Sequence, residues 1–149
     1  MKKFLQKVLA VCMIVSLFVE PICAAGVPVH AETNTITIQL SDTMTAEITL
    51  ETYQIRSSSA VQGRKTYELK RGSQTIGRAT AIISFAYNGS TAWVTDTDYT
   101  YSTVNGCTYS HGGITTSGNR ASMSGTFYYG GASYPFSISL TCSGSGTIS

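Results

Sequence analysis

The sequence predicts an all-β protein: a small antiparallel β-sandwich of about seven or eight strands, preceded by a signal peptide that is removed. Among the 118 residues from position 32 onward, 18 are Ser, 21 are Thr and nine are Tyr. Thr and Tyr favour strands, and strong helix formers are scarce. Apolar and polar residues alternate over several short runs, which is the period of a half-buried strand. Thirteen glycines divide these runs at short intervals and mark turns.

Residues 1–31 are interpreted as a secretory signal peptide. A start with three lysines in seven residues precedes a run of 12 residues, 8–19, in which only Ser16 is polar. This layout is typical of an export signal, whereas a membrane-spanning anchor needs roughly 20 apolar residues. We expect cleavage after Ala31, with Ala25 as the alternative site, and a protein that is secreted and not stably inserted in a membrane.

The remaining domain, residues 32–149, is electrically neutral. It contains seven Lys+Arg and seven Asp+Glu, so its net charge is 7 − 7 = 0. Binding to nucleic acid or to an anionic membrane surface requires clustered basic residues, so the composition argues against both classes of partner. The general form, a Lys-rich leader before a small Ser/Thr/Gly/Tyr-rich β domain, resembles small secreted proteins of Gram-positive bacteria. This likeness is compositional and assigns neither function nor site.

The first four strands follow one another along the domain. Residues 35–40 and 45–50 alternate Ile, Leu or Ala with Thr, Gln or Glu, and this predicts two strands with one apolar face each. After a polar stretch that ends in a turn at Gly63, a short third strand leads to a turn at Gly72. The fourth strand is predicted at about 74–87, where apolar residues again fall on one face.

Asn88-Gly89 predicts a hairpin after the fourth strand. A two-residue type I′ loop needs positive φ at both central residues, and Asn-Gly is the pair that best supplies it. With this loop, Phe85 pairs with Ala92 and the apolar faces of the two strands coincide.

Gly130-Gly131 predicts the last hairpin. With these two loop residues, Phe127 faces Tyr134. Every second pair along the hairpin, on the same face as Phe127, then joins apolar residues or glycine. The alternate pairs, on the other face, join Ser with Ser. The hairpin is therefore predicted to have one core face and one face of hydroxyls. Pro135 cannot donate a ladder hydrogen bond and therefore indicates an outer position or a bulge.

Two cysteines remain after residue 31, Cys107 and Cys142. An even number of thiols in an oxidising compartment predicts one disulfide. Closing its loop of 36 residues would stabilise the fold by roughly 4 kcal/mol in the chain-entropy model. Trp93 precedes both cysteines, whereas immunoglobulin domains have Trp between them. "Immunoglobulin-like" therefore describes the expected architecture only, and a small β-barrel is the alternative fold.

The sequence offers little catalytic chemistry. His111 is the single histidine after residue 31, and no G-x-S-x-G elbow accompanies it. Asp96 and Asp98 would share one face of a strand with Cα atoms about 6.6 Å apart, which makes them a weak candidate site for calcium. We expect no catalytic residue, no other metal site and no cofactor.

Tyrosines are the most suggestive feature for function. Tyr99 and Tyr101 alternate just after the acidic pair, and Tyr109 lies near a predicted turn. Rigid amphipathic rings on a hydroxyl-rich surface are typical of patches that bind glycan or protein. The same rings also build cores in domains that are poor in leucine, so packing is the alternative role.

The leading hypothesis is a secreted, non-enzymatic β-sandwich module that binds glycan or a surface protein through its tyrosine-bearing loops. One alternative is a small secreted hydrolase or toxin that uses His111 with Asp96 or Asp98. The other is a purely structural module of a surface assembly.

Overall fold

The computed structural model describes residues 29–55, 59–104 and 106–149. Within these ranges the chain forms eight strands, which confirms the predicted all-β class and strand number. The strands are β1 (Val29–Gln39), β2 (Met44–Gln54), β3 (Ala60–Arg71), β4 (Gln74–Tyr87), β5 (Ala92–Thr103), β6 (Cys107–Ser117), β7 (Arg120–Tyr129) and β8 (Ala132–Thr141).

The eight strands form two antiparallel sheets. β1 to β5 make a five-stranded sheet and β6 to β8 make a three-stranded sheet, each in the order of the sequence. No ladder joins the two sheets in the described ranges, so these strands form two open layers rather than one closed barrel. Within each sheet, strands that are consecutive in sequence pair with each other, and this differs from the Greek-key connectivity of immunoglobulin domains.

The core lies between the two sheets, where alternate residues of the facing strands meet. Its inward side chains come mainly from β3 and β4 on one sheet and from β7 and β8 on the other. The largest fully buried side chains are Phe85, Phe127, Leu69, Ile76, Ile83, Met123, Leu140, Val61 and Cys142. Full burial of one large apolar side chain contributes about 1.5–3 kcal/mol, so this layer is the main source of stability.

Glycine lets the two sheets approach closely. A Cβ on Gly63 would lie 2.5 Å from Cδ2 of Leu140 and 3.0 Å from Cδ1 of Ile148. Gly63 therefore lies within β3, where its missing side chain leaves room for side chains of the opposite sheet. The predicted turn at Gly63 is wrong, because the residue is used for its missing side chain and not for its backbone freedom.

Lys65 also faces inward from β3 and bridges the two sheets. Its Nζ donates a 2.8 Å hydrogen bond to the carbonyl oxygen of Ser139 on β8. Partial burial lowers the pKa of Lys65. The bond satisfies a backbone acceptor on β8, which is an edge strand of its sheet.

The hairpin at Gly130-Gly131 has the predicted register. Both glycines have positive φ, 60° and 80°, as a type I′ loop requires. Phe127 pairs with Tyr134, and serines pair with serines on the opposite face. Pro135 lies on β8 at the edge of the sheet, so its missing N–H costs no hydrogen bond in a central strand.

The hairpin at Asn88-Gly89 differs from its prediction. Only the glycine has positive φ, and the strands close around a four-residue loop, 88–91. The side-chain oxygen of the asparagine accepts hydrogen bonds of 3.0 and 2.8 Å from the N–H groups two and three positions later, which stabilises this longer turn. Phe85 therefore pairs with Val94, and the predicted pairing of Phe85 with Ala92 is wrong.

The predicted disulfide between Cys107 and Cys142 is also wrong, because both thiols are free. Cys107 opens β6 opposite Tyr129, at one end of the three-stranded sheet. Cys142 follows β8 at the other end, where its N–H donates to the carbonyl of Asn119. The full length of β8 separates the two ends, about 30 Å at roughly 3.3 Å per residue. A disulfide requires Cα atoms within about 7 Å.

Most of the predicted signal peptide, residues 1–28, lies outside the described residues. β1 begins at Val29, so cleavage after Ala31 would remove the first three residues of that strand, whereas cleavage after Ala25 would leave it whole. In the part of the chain that the structure describes, no helix is long and apolar enough to span a membrane.

Candidate functional site

The tyrosines singled out in the sequence meet at the side of the two-layer core. Tyr99 and Tyr101 lie on β5 and Tyr109 lies on β6, so all three are strand residues rather than loop residues. Tyr99 stacks on His111 with ring centroids 3.9 Å apart and an interplanar angle of 5°. The rings of Tyr101 and Tyr109 have centroids 4.9 Å apart. The structure thus brings the three predicted residues together, between the sheets.

Tyr109 is mainly a packing residue. Its ring centroid lies 4.9 Å from that of Phe127, and a Cβ on Gly125 would come within 2.6 Å of its Cε2 atom. Burial raises the pKa of Tyr109, and the nearby Tyr99 and Tyr101 act in the same direction. Tyr101 is the most exposed of the three, at 58 %. Of the three tyrosines, only Tyr101 therefore offers a large ring surface to a ligand.

His111 belongs to the same cluster and lies away from the acidic pair. Its Nδ1 is 3.1 Å from Oη of Tyr109, and its ring stacks on Tyr99. Asp98 precedes Tyr99 on β5, and neighbouring residues of a strand point to opposite faces. Asp96 and Asp98 therefore point away from the face of β5 on which His111 stacks.

Asp96 and Asp98 share the outer face of β5, as their alternation predicts. They pair with Ser84 and Ile82 of β4, and Oδ1 of Asp98 accepts a 2.8 Å hydrogen bond from the N–H of Tyr99. Among the residues that the structure describes, no group of three or more His, Cys, Asp or Glu converges on one point. Calcium takes six to eight oxygen ligands, so this pair alone is a poor site for it.

A row of five threonines crosses the outer face of the five-stranded sheet. Each threonine lies on a different strand, directly opposite a threonine of the neighbouring strand in the pairing register. This threonine row consists of Thr35, Thr49, Thr66, Thr80 and Thr100. Because neighbouring strands lie about 4.8 Å apart, the row spans about 19 Å. The Oγ1 atoms of Thr35 and Thr49 are 3.0 Å apart, and those of Thr66 and Thr80 are 2.9 Å apart.

Four members of the threonine row line a groove of about 580 Å³. The remaining lining residues are Glu51, Arg64, Glu68, Arg78 and Ile82. Two acids and two arginines give this lining no net charge, and they stand on both sides of the row. A neutral groove of hydroxyls, carboxylates and guanidinium groups offers donors and acceptors to an uncharged ligand that is itself rich in hydroxyls.

Glu68 organises one side of the groove. Its carboxylate contacts the guanidinium of Arg78 at 2.5 Å and the ammonium of Lys70 at 3.8 Å. The hydroxyl of Thr75 donates a further 3.1 Å hydrogen bond to it. Lys70 also contacts the carboxylate of Glu47 at 2.5 Å. This network links β2, β3 and β4, so the charged side chains at the groove are held in place before a ligand arrives.

Tyr53 and Arg64 organise the other side. Oη of Tyr53 donates a 2.6 Å hydrogen bond to Oε2 of Glu51, and the guanidinium carbon of Arg64 lies 5.0 Å from the centre of the Tyr53 ring. This is a cation–π distance. The hydrogen bond to Glu51 raises the pKa of Tyr53, and burial adds to the rise. An aromatic ring thus stands next to the charged wall of the groove.

Sequence reasoning missed the groove. Alternation assigned Thr35 and Thr49 to polar faces, but it did not show that five threonines on five strands fall in one line. That alignment depends on the register between strands. The available signal was that Thr recurs on the polar face of successive strands. This signal becomes informative only when the register between those strands is known.

Comparison with known proteins gives no family assignment. No protein-family model, no curated protein and no solved structure matches the chain.

Proposed function

We propose that this protein is a secreted, non-enzymatic β-sandwich module that binds glycan in the groove on the outer face of its five-stranded sheet. The observation that carries the proposal is the threonine row. Each threonine hydroxyl both donates and accepts hydrogen bonds, and five of them stand at intervals of about 4.8 Å along a line of about 19 Å. A short oligosaccharide presents hydroxyls along a comparable length.

The charged residues beside the row support the same class of ligand. Arg64 and Arg78 donate and Glu51 and Glu68 accept, and hydrogen bonds to charged groups are stronger than those between neutral groups. Their charges cancel, so the groove has no net preference for an ionic ligand. The Tyr53 ring adds an apolar surface at one side, on which a sugar ring could pack.

The location of the groove supports a binding module. All of its residues lie on paired strands and not on loops, and strands hold side chains in place more rigidly than loops do. The two packed sheets support the proposed sandwich, whose expected likeness to immunoglobulin domains is one of architecture only. Secretion is supported by the lysine-rich leader and the apolar run 8–19.

Binding to insoluble polysaccharides tests the proposal. The purified protein is sedimented with bacterial cell walls, chitin, cellulose and mucin, and the bound fraction is measured against protein concentration. We expect saturable binding to at least one of them, with little dependence on salt because the groove is neutral. The double variant Thr66→Val/Thr80→Val removes two hydroxyls and keeps the shape. It should bind about tenfold more weakly, as expected for two lost hydrogen bonds.

The matched control is Thr115→Val/Thr126→Val, which changes two threonines on the outer face of the three-stranded sheet. It should bind as the unchanged protein does. Binding that survives in the Thr66→Val/Thr80→Val variant but is lost in Tyr101→Ala would move the site to the tyrosine cluster. Absence of binding to every polysaccharide would contradict the proposal and direct the search to protein ligands.

A further inference from the structure

β1 is an edge strand, and in the described part of the chain its outer side has no neighbouring strand. Residues 34–40 contain no charge and no proline. The irregularity of the β1–β2 ladder lies between His30 and Thr33, outside this stretch. A long, regular and uncharged edge presents backbone N–H and C=O groups that pair readily with another strand.

The other three sheet edges each carry a feature that discourages such pairing. β5 carries Asp96 and Asp98 on its outer face. β6 has an irregularity next to Gly113. β8 contains Pro135, and Lys65 already occupies one of its carbonyl oxygens. Charges, bulges, prolines and covering side chains are the usual protections of a sheet edge, so β1 differs from the rest of the molecule.

Two isoleucines on the inward face of β1 are largely uncovered. Ile36 and Ile38 are 64 % and 43 % exposed, although they pair with Ile48 and Ala46 on the core side of the sheet. The three-stranded sheet packs mainly on β3, β4 and β5. A groove of about 390 Å³ runs from Ile36 to Ile148. The apolar surface of the core thus continues to the edge of the sheet.

We infer that two copies of this protein associate through β1, antiparallel and about a two-fold axis at Thr37. In this register Ile36 of one copy lies opposite Ile38 of the second copy, and Thr35 lies opposite Gln39 of the second copy. Over residues 35–39, apolar residues then meet on one face and polar residues on the other, because opposite residues of an antiparallel pair point to the same side. Asn34 lies opposite Leu40 at the two ends of this stretch.

A second copy is the occupant that this edge fits. The stretch 35–39 alternates polar and apolar residues in the same way in both directions from Thr37, as a self-complementary two-fold interface requires. The stretch is uncharged, so pairing with itself brings no like charges together. Two-fold pairing also occupies the β1 edge of both copies, so the assembly closes at two copies.

The dimer would contain one continuous sheet of ten strands, with both threonine rows on the same face. Two linked binding faces engage a polymeric ligand with higher avidity than one face does. The association itself does not depend on the identity of the ligand, and it is tested without any ligand.

Sedimentation velocity on the mature protein, collected from the medium of a secreting host, tests the association. Cleavage after either Ala25 or Ala31 leaves residues 34–40 intact. We expect a dimer that dissociates on dilution. The variant Ile36→Lys should sediment as a monomer at concentrations where the unchanged protein is dimeric, because each dimer would bury two lysines at its edge. Tyr128→Lys, which also replaces a large exposed side chain with lysine, should remain dimeric.

Cross-linking gives a second, independent readout of the register. Thr37→Cys places two thiols opposite each other at the two-fold axis, within the range of a disulfide. Mild oxidation should give a covalent dimer, whereas Thr115→Cys on the other sheet should not. A monomer at every concentration overturns the inference. So does a dimer that Ile36→Lys leaves unchanged, or a ladder of higher oligomers.

Discussion

Phe127 of the three-stranded sheet packs directly on Gly77 of the five-stranded sheet. A Cβ at residue 77 would come within 2.7 Å of two carbons of the Phe127 ring, Cδ1 and Cε1. The same ring lies 5.6 Å from that of Phe136 and 6.1 Å from that of Tyr67. At Gly77 the aromatic cluster therefore reaches the backbone of the opposite sheet, and this contact sets how closely the two layers approach.

Gly77→Ala should destabilise the protein. The added methyl group has no room beneath a fully buried ring, and overpacking of this kind costs about 1–3 kcal/mol. Urea denaturation followed by tyrosine and tryptophan fluorescence measures the change in the free energy of unfolding. The matched test is Phe127→Leu, which shortens the opposing side chain and destabilises the protein by itself.

A double-mutant cycle then isolates the contact. In the Phe127→Leu background the alanine at position 77 should cost much less than in the unchanged protein, since the clashing ring is gone. Equal costs in both backgrounds would mean that Phe127 does not rest on Gly77.

The sequence predicted local structure well where a turn is determined by its own residues. Gly130 and Gly131 both adopt positive φ, and the pairing of Phe127 with Tyr134 follows from that loop alone. Asn88 instead binds backbone N–H groups of its own loop and shifts the register by two residues. The choice between the two loops is decided by small differences in local hydrogen bonding, which composition does not reveal.

Features that join distant parts of the chain could not be predicted. Gly63 looks like a turn residue until Leu140 and Ile148 are placed against it. The threonine row needs four correct registers at once, and an error of one residue in any of them would move a threonine to the core face. The disulfide was inferred from thiol number, whereas distance decides whether a bond can form.

Cys107 and Cys142 should remain reduced. The two thiols lie at opposite ends of the three-stranded sheet and are 6 % and 0 % exposed. Alkylation under denaturing conditions without reductant, followed by peptide mass spectrometry, should find both thiols modified. Under native conditions both should react slowly, at the rate at which the fold opens. A linked pair of peptides containing these two cysteines would contradict the strand order found here.

Stability should fall above about pH 9. Burial raises the pKa of both thiols above the ordinary value of 9.0. Above that pH the unfolded chain therefore loses protons that the folded chain keeps, and the free energy of unfolding decreases as the pH rises through the folded pKa. Buried Tyr67 acts in the same direction above 10.0. The lowered pKa of Lys65 has the opposite effect, because below pH 10.5 it makes the free energy of unfolding increase with pH.

The variant Cys107→Ala/Cys142→Ala separates the thiols from the other groups. It should be less stable at neutral pH because two buried side chains are shortened. Its urea midpoint should nevertheless decline less steeply than that of the unchanged protein between about pH 8 and pH 10. Parallel declines in the two proteins would show that the thiols do not control the alkaline loss.

Tyr109→Ala and Tyr101→Ala should affect stability very differently, although both residues are tyrosines of one cluster. Tyr109 packs on Phe127 and fills the space above Gly125, so its removal leaves a cavity between the sheets and should cost about 2–4 kcal/mol. Tyr101 is mostly exposed and loses chiefly one ring contact, worth about 0.5–1.5 kcal/mol. Urea denaturation of both variants measures the difference.

The comparison also separates packing from recognition among the tyrosines. A residue needed for packing lowers stability when removed, and a residue needed only for binding does not. Tyr109→Phe supplies the control, because it keeps the ring and removes only the hydroxyl that contacts His111. It should cost far less than Tyr109→Ala. If Tyr109→Ala instead proved as mild as Tyr101→Ala, the two sheets would not be held together at this side by the aromatic cluster.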